Sequence, residues 1–457
     1  MSVPTSGCHA DRTGRSGQGA DSSVGTTWLH GAMASAASLV LLGSLAGSAP
    51  VAADARPGST TSPGWGFTHT QQSADHGFPE AIASVRDGLN RQALVQNQHL
   101  MGWGAGNPEP RPGVYDFASL DSRIDFIRTS AGLPVITLCC APDWMKGGSP
   151  GDTDWSRLEE APRPEHYADF AALAGQVARR YPDVRHFLVW NEFKGFFDDA
   201  AGTWDAAAYT GLYNQVYDAI KSANPANQVG GPYLDMAAAP DGVDVDSGEL
   251  AGAWGHVDPR TLRAFEYWAQ HAKGADFVVV DGHATTANGA PDPFTALDKF
   301  GAVRAWIRAR TDLPLWWAEW YVEPPGSDWT LERRVAVRTA AMIEFAKAGV
   351  ATSLYWNPPP DGDQGDASLW TSTESGPDGG RPGPMLGVVQ EFARWFPPGT
   401  PLVDLPAGPS VRSLASAETV LLVNTTDGPQ QVEVDGRTVT LAGSEVRWVP
   451  RMSPQIG

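Results

Sequence analysis

Two glutamates stand at the ends of apolar, aromatic runs, where an unpaired charge would be costly to bury. One run reads His-Phe-Leu-Val-Trp-Asn-Glu and ends at Asn191-Glu192, and the other, Pro-Leu-Trp-Trp-Ala-Glu-Trp-Tyr, carries Glu319. A carboxyl pair suits glycosidic bond cleavage, in which one group protonates the leaving oxygen and the other attacks or activates water. Either glutamate alone is more simply interpreted as a strand-end residue paired with an arginine. The two together, with Asn191 directly before the first, favour catalysis.

The elements that must position these glutamates alternate between short apolar strands and amphipathic helices. Strands are predicted at Trp65–His69, within Leu94–Trp103, and at Pro134–Cys139, His186–Asn191, Val229–Tyr233, Phe277–Asp281, Pro314–Trp320 and Ser353–Asn357. Helices are predicted at Pro79–Asn90, Leu120–Thr129, Pro164–Tyr181, Ala206–Ala223, Arg260–Lys273, Phe294–Arg310, Leu331–Ala348 and Met385–Phe396. This alternation predicts a (β/α)8 TIM barrel with enlarged loops, in which reacting groups lie at the C-terminal ends of strands. A doubly wound open sheet is the alternative, but no G-x-G-x-x-G follows the first strand.

The pattern changes after Pro397-Pro398-Gly399, where helical spacing gives way to short alternating runs with Asp-Gly turns. We therefore predict three segments. Residues 1–55 are a signal peptide with a preceding segment, 56–398 are the catalytic barrel, and 399–457 are a small antiparallel, β-sandwich-like accessory domain. The sequence Asn424-Thr425-Thr426 is compatible with a glycosylation sequon or simply with a turn.

An apolar run at residues 34–46 precedes the small-x-small pattern Ala53-Asp54-Ala55. The run is shorter than the ~20 residues that cross a bilayer. With Arg12 and Arg15 upstream, it is typical of a secretory signal with a long n-region, so secretion is expected, with no membrane association after cleavage. Met33 is an alternative start. Cys8 lies in this segment. Adjacent Cys139 and Cys140 are interpreted as buried apolar residues, because a bridge between neighbours would be strained.

The charge and composition limit the classes of partner that the protein is expected to bind. Lys and Arg number 33 against 52 Asp and Glu, a net charge of −19. This argues against nucleic acid, which needs a basic footprint, and against anionic lipid. The 18 Trp suit sugar stacking, although most single Trp residues are core. No cofactor or metal is expected. Two acidic loops, one with Asp241, Asp244, Asp246 and Glu249, the other with Asp361, Asp363 and Asp366, lack EF-hand spacing and are interpreted as solvated.

Specific motifs carry a family resemblance. Trp190-Asn191-Glu192 and Trp317-Ala318-Glu319 resemble the signatures of retaining glycoside hydrolases of clan A, and the chain most resembles family 39, the β-xylosidase family. The stretches at residues 112–117, 120–121 and 141–145 resemble that family too. The resemblance covers about residues 63 to 450. It implies that Glu192 is the acid/base and Glu319 the nucleophile. It also implies that Asn191 bonds the sugar 2-OH and that His283 sits beside the nucleophile and orients it.

A second group of polar and aromatic residues follows the strand ends and is predicted to bind sugar. We expect this of His69, Trp144 and Trp356, whereas Trp103, Asn107 and Tyr233 are equally compatible with core or loop packing. Glu192 needs a raised pKa in the first step, which a nearby carboxylate supplies. We expect irregular backbone at Asn191-Glu192, because plain β alternation would point these side chains to opposite faces.

The sequence therefore predicts a secreted retaining glycoside hydrolase acting on oligo- or polysaccharides. A β-xyloside substrate is implied by the resemblance alone. The enlarged loops equally suit an endo-acting glycanase or an arabinofuranosidase- or galactosidase-type enzyme. The alternative from another class is a non-catalytic carbohydrate-binding barrel. Oligomeric state is left open.

Overall fold

Eight parallel strands close into a barrel in this computed structural model, which describes residues 63–71, 73–239, 243, 250–284, 292–324 and 326–451. In chain order the strands are β1 Gly64–Thr68, β2 Val95–His99, β3 Leu133–Leu138, β4 His186–Val189, β5 Gln228–Asp235, β6 Phe277–Asp281, β7 Leu315–Trp317 and β8 Thr352–Trp356. Each strand pairs with its neighbours in sequence, and β8 closes on β1 with Gly64 opposite Thr352. The predicted TIM barrel is confirmed.

Helices cover the outside of the barrel. They are α1 Pro79–Leu89, α2 Ala118–Thr129, α3 Tyr167–Arg180, α4 Ala206–Ala223, α5 Pro259–His271, α6 Pro293–Ala296, α7 Asp298–Arg308, α8 Leu331–Lys347 and α9 Pro384–Trp395. The helix predicted at 294–310 is thus divided at Leu297 into α6 and α7. None of the described helices is both long and apolar enough to cross a bilayer.

Buried apolar side chains form two layers that alternate along the strands. Inside the barrel, residues such as Leu188, Val279 and Leu354 form one cluster. Phe67 and Val189 belong to the larger cluster between the strands and the helices. This alternation directs each strand-end residue either into the barrel mouth or outward toward a helix, which decides which side chains can meet substrate.

The C-terminal strands are β9 Val411–Ala415, β10 Thr419–Asn424, β11 Gln430–Val434, β12 Arg437–Leu441 and β13 Val446–Pro450. They form an antiparallel three-stranded sheet, in the order β9-β10-β13, and a two-stranded β11-β12 sheet. Trp448 packs edge-on against Phe392 of α9, with ring centroids 5.6 Å apart. Asn424 is fully buried and donates hydrogen bonds to the carbonyls of Gly428 and Ala442, as a turn residue does.

A disulfide joins Cys139 and Cys140 directly after β3, so the expectation of two free thiols is wrong. Both residues are buried, as expected. The peptide bond between them is cis, and their Cα atoms are 3.0 Å apart, closer than the ~3.8 Å of a trans pair. The predicted signal segment, Cys8, and the four acidic residues Asp241, Asp244, Asp246 and Glu249 lie outside the described residues.

Candidate active site

Glu192 and Glu319 meet at the C-terminal mouth of the barrel, three residues beyond the end of β4 and two beyond the end of β7. One oxygen from each, together with one from Asp281 at the end of β6, lie within 4.8 Å of one another. Glu319 and Asp281 are buried, and the Glu192 side chain is 18% exposed. The described residues therefore bring three carboxyl groups, rather than the predicted two, to one point.

The backbone around Glu192 leaves the strand abruptly. β4 ends at Val189, and positive φ angles follow at Trp190 (68°), Glu192 (50°) and Phe193 (55°). The Trp190 indole is buried and donates to the carbonyl of Lys194 at 2.8 Å, which closes the turn. The predicted irregular backbone is confirmed, and it turns Glu192 toward the mouth instead of leaving it on the strand's alternating faces.

Two tyrosine hydroxyls hold Glu319. Tyr233 donates to Oε1 at 2.6 Å and Tyr321 donates to Oε2 at 2.5 Å, so both carboxyl oxygens are fixed. Burial raises the pKa of Glu319 to about 8, the charge of Glu192 adds to this, and the two tyrosines oppose it. The carboxyl group is therefore well positioned and easily protonated.

Lys194 lies beside Glu192. Its ammonium contacts Glu192 Oε2 at 2.9 Å and Glu159 Oε1 at 2.6 Å. Burial pushes the pKa of Glu192 upward, but the Lys194 charge and hydrogen bonds from Asp281 and Lys194 outweigh it and leave that pKa below its usual range. This is the reverse of the expected raised pKa, because the sequence analysis did not include Lys194 as a partner.

Aromatic rings form one wall of the same mouth. Trp356, the last residue of β8, lies 6.4 Å from both Trp103 and Tyr321 and 6.3 Å from His99, measured between ring centroids. Trp103 also covers His99 at 4.2 Å and lies 5.7 Å from the Lys194 ammonium. Of the predicted sugar-binding residues, Trp356, Trp103 and Tyr233 thus gather around the carboxyl groups.

Asn191 and His283 also lie at the mouth, with one correction. Asn191 is buried and interacts with His99. The His283 ring stacks on Tyr321, with centroids 4.6 Å apart. The predicted direct orientation of Glu319 by His283 is therefore replaced by an indirect one, because the tyrosine ring stands next to the histidine and its hydroxyl reaches the carboxylate.

Three predicted sugar-binding residues serve the scaffold instead. His69 is buried toward α2, with its ring nitrogens 2.9 Å from Gln96 Oε1 and 3.0 Å from Ser73 Oγ. Burial lowers its pKa to about 4. The buried Trp144 indole donates to the carbonyl of Glu109, and Asn107 donates to Thr153 Oγ1. Each polar atom is thus used to fix a loop or to satisfy a core position, as the sequence equally allows for Asn107, and sugar binding by these three residues stays a prediction.

Four residues at the mouth escaped the sequence analysis, namely His99, Lys194, Asp281 and Tyr321. His99 and Asp281 are the last residues of β2 and β6, so a uniform inspection of strand ends would have included them. Lys194 lies in a turn after β4, and Tyr321 lies in an isolated bridge to His283 after β7. No spacing rule indicates where side chains point beyond a strand end. Among the described residues, Glu192, Asp281 and Glu319 are also the group whose oxygens could converge on a cation.

Comparison with known proteins identifies the family. The model of glycosyl hydrolases family 39 matches residues 105–344, more than half of the 457 residues. The chain belongs to glycosyl hydrolase family 39. The matched region contains both Glu192 and Glu319, and the family resemblance given by the two Trp-x-Glu motifs is confirmed. This member of family 39 is a glycoside hydrolase. No curated protein sequence matches it.

Solved structures share the fold of this family 39 protein. A family 39 β-xylosidase from Caulobacter crescentus is 18% identical with a TM-score of 0.53, covering 87% of this chain and 95% of the other. A family 39 enzyme from Xanthomonas axonopodis pv. citri is 19% identical with a TM-score of 0.53, covering 80% and 72%. SrfJ from Salmonella typhimurium is 15% identical with a TM-score of 0.54, covering 85% and 90%. At these identities the likeness shows the fold alone.

Proposed function

We propose that the protein is a retaining glycoside hydrolase in which Glu319 is the nucleophile and Glu192 the acid/base. The observation that carries this proposal is the approach of their carboxyl oxygens to within 4.8 Å. Retaining enzymes hold the two groups ~5–5.5 Å apart, whereas inverting enzymes leave ~6.5–9.5 Å for a water molecule. Oxygens this close are compatible with the shorter of the two spacings and favour direct attack.

In the first step Glu319 attacks the anomeric carbon while Glu192 gives its proton to the glycosidic oxygen, so the C–O bond breaks and an ester forms. In the second step Glu192 takes a proton from water, the water oxygen attacks the same carbon, and Glu319 leaves as a carboxylate. Tyr233 and Tyr321 keep Glu319 in line, since each hydroxyl donates to one of its oxygens.

The protons of this site are shared. The electrostatics of the barrel mouth favour an ionised Glu192 and a protonated Glu319, whereas the first step needs the opposite distribution. Because the carboxyl groups lie close together, the charge of each affects the pKa of the others, and their titrations are coupled. The reactive form is the one with the proton on Glu192. The basic limb of the pH–rate profile then reports loss of the last shared proton.

Sugar recognition uses the groups around the carboxyls. Asn191 is buried at the mouth directly before Glu192, and its side chain bonds the sugar 2-OH, a contact that strengthens in the transition state. Trp356 and Trp103 offer flat apolar faces to the CH face of a sugar ring. The pocket thus combines an aromatic wall with a few directed polar groups, as small-ligand sites generally do.

We propose a β-xyloside or a similar β-glycoside as substrate, by analogy with the β-xylosidases of family 39. An endo-acting glycanase and an arabinofuranosidase- or galactosidase-type enzyme are the alternatives on the same scaffold. We also propose secretion, based on the apolar run at 34–46 and the small-x-small pattern at 53–55, and saccharide rather than nucleic acid as the partner, based on the net charge of −19.

The test is turnover of a panel of aryl glycosides, with product stereochemistry followed by proton NMR from the first seconds. A retained anomeric configuration, with activity abolished in Glu319→Ala, is expected. An inverted first product would overturn the retaining mechanism. Equal rates in the parent and in Glu319→Ala would show that Glu319 is not the nucleophile. Sugar binding without turnover would favour a non-catalytic carbohydrate-binding barrel.

A further inference from the structure

Asp281 is a third carboxyl group at the catalytic pair. It is the last residue of β6, it is 1% exposed, and one of its oxygens lies within 4.8 Å of both Glu192 and Glu319. Its carboxyl group thus lies beside that of Glu192 in a buried site. Two carboxylates this close repel each other strongly when both are ionised, so the pair favours a state that keeps one proton.

Charged and titratable groups face Asp281 from every strand and helix around it. Asp235 is its register partner on β5, and Oδ1 of each aspartate is buried without a hydrogen-bond partner among the described residues. The other groups are Tyr233 on β5, Lys194 after β4, Glu319 and Tyr321 after β7, His283 after β6 and Lys299 on α7. Burial, then the charges of Glu192 and Asp235, raise the pKa of Asp281 well above its usual range.

The environment of Asp281 differs from that of Glu192. Lys194 contacts Glu192 directly and favours its ionised form. Lys299 is buried and donates to the carbonyl of His283 at 2.8 Å, so its ammonium is anchored beside the chain that carries Asp281. Adjacent buried carboxylates cannot both ionise without a large penalty, and one pKa of such a pair rises strongly.

We propose that Asp281 is a positioning residue that shares one proton with Glu192, so that Glu192 remains a usable acid despite the ion pair with Lys194. The proposal rests on the proposed function of Glu192. Without Asp281, Lys194 would hold Glu192 ionised at neutral pH. With it, loss of the last proton would leave two carboxylates side by side, so the pair as a whole retains that proton to higher pH. The proton favours Asp281 in the resting pair, and Glu192 draws on it when the glycosidic oxygen must be protonated.

The shared proton fits both catalytic steps. In the first, the proton moves from Glu192 to the glycosidic oxygen, and the dyad becomes doubly negative while the Glu319 charge is consumed in the ester. The total charge of the carboxyl groups is thus unchanged. In the second, Glu192 takes the proton of the attacking water and again shares it with Asp281, while Glu319 regains its charge.

The experiment compares pH profiles of kcat/KM for the parent and Asp281→Asn, using one aryl glycoside with a poor leaving group and one with a good one. With the poor leaving group, the basic limb of Asp281→Asn is expected to move to lower pH by about one unit or more, the size of coupling that defines a shared titration. With the good leaving group, which needs little proton donation, the basic limb of Asp281→Asn should stay at the pH of the parent. If Asp281 had a merely structural role, its substitution would change the pH profiles of both substrates alike.

Asp276→Asn is the matched control. It makes the same change at the opposite end of the same strand, where Asp276 pairs with Lys221 at 2.7 Å. An equal shift in this control, or an unmoved limb in Asp281→Asn, overturns the proposal. Activity that survives Glu319→Ala would instead overturn the proposed function. Asp281→Ser provides a second uncharged variant with the same expected shift. Infrared titration of the parent needs no substitution, and absence of any protonated carboxyl band at neutral pH would also overturn the proposal.

Discussion

Glu192 and Lys194 form an ion pair across a single intervening residue, with 2.9 Å between Oε2 and Nζ. Side chains two residues apart on a strand would share a face but point in parallel. Here left-handed φ angles at Glu192 and Phe193 turn the chain and bring the two charges together. The acid/base carboxylate therefore carries its own counter-charge, which Glu159 helps to hold in place.

Replacing Lys194 with methionine is expected to move the basic limb of kcat/KM to higher pH. The Lys194 charge lowers the pKa of Glu192, and an adjacent cation typically lowers a carboxyl pKa by ~1–3 units. Removing it raises that pKa, so the proton is retained to higher pH, the opposite of the shift expected for Asp281→Asn. The measurement is the pH profile with a phenyl glycoside. The control is Lys273→Met, which removes an exposed ion pair with Asp218. If the basic limb of kcat/KM stays in place or moves to lower pH, Lys194 does not lower the pKa of Glu192.

Tyr233→Phe and Tyr321→Phe should each lower kcat/KM by about 10–100-fold. Each removes a hydrogen bond to Glu319, worth ~1.5–3 kcal/mol when one partner is charged, and each ~1.4 kcal/mol is a factor of ten in rate. Because both hydroxyls lower the pKa of Glu319, its pKa should rise further in each variant. Tyr355→Phe is the matched control, since that buried hydroxyl donates to the carbonyl of Ala367 rather than to Glu319. A loss of the same size in the control would attribute the effect to packing.

Glu192→Ala should separate substrates by leaving group. Glycosides with poor leaving groups are expected to lose ~10²–10⁴-fold in rate, the usual contribution of general acid catalysis. Those with good leaving groups should keep fast glycosylation but accumulate the ester, because no base activates water. Added azide should restore turnover and yield a glycosyl azide, detected by mass spectrometry. Absence of both rescue and azide product would exclude Glu192 as the acid/base.

The sequence predicted the barrel and its two central glutamates for a physical reason. Parallel barrel strands are buried on both faces and appear as short apolar runs, so a charged residue at the end of such a run stands out. Glu192 and Glu319 were found in this way. Asp281 ends an equally apolar run, Phe-Val-Val-Val-Asp. The sequence alone does not single it out, because no Trp-x-Glu motif accompanies it.

The remaining differences between prediction and structure concern the direction in which side chains point. Sequence spacing does not specify this direction at a strand end. His69 follows β1, yet it points outward with Phe67 and packs against Phe126 of α2. Tyr321 and Lys194 lie beyond the ends of their strands, where left-handed residues and isolated bridges replace β alternation. Trp144 falls in a short 3-10 helix that buries its indole. Which strand-end residues meet substrate is thus decided by tertiary packing.

The most direct test of the account is to trap the covalent intermediate. A 2-deoxy-2-fluoro glycoside with a good leaving group loses the 2-OH contact and destabilises the oxocarbenium-like transition state, so the ester should form and then hydrolyse slowly. Mass spectrometry of the intact protein should show one added glycosyl group, and peptide mapping should locate it on Glu319. An adduct on Glu192 or Asp281, or full turnover of natural substrates by a protein whose Glu319 is never labelled, would contradict the central claim.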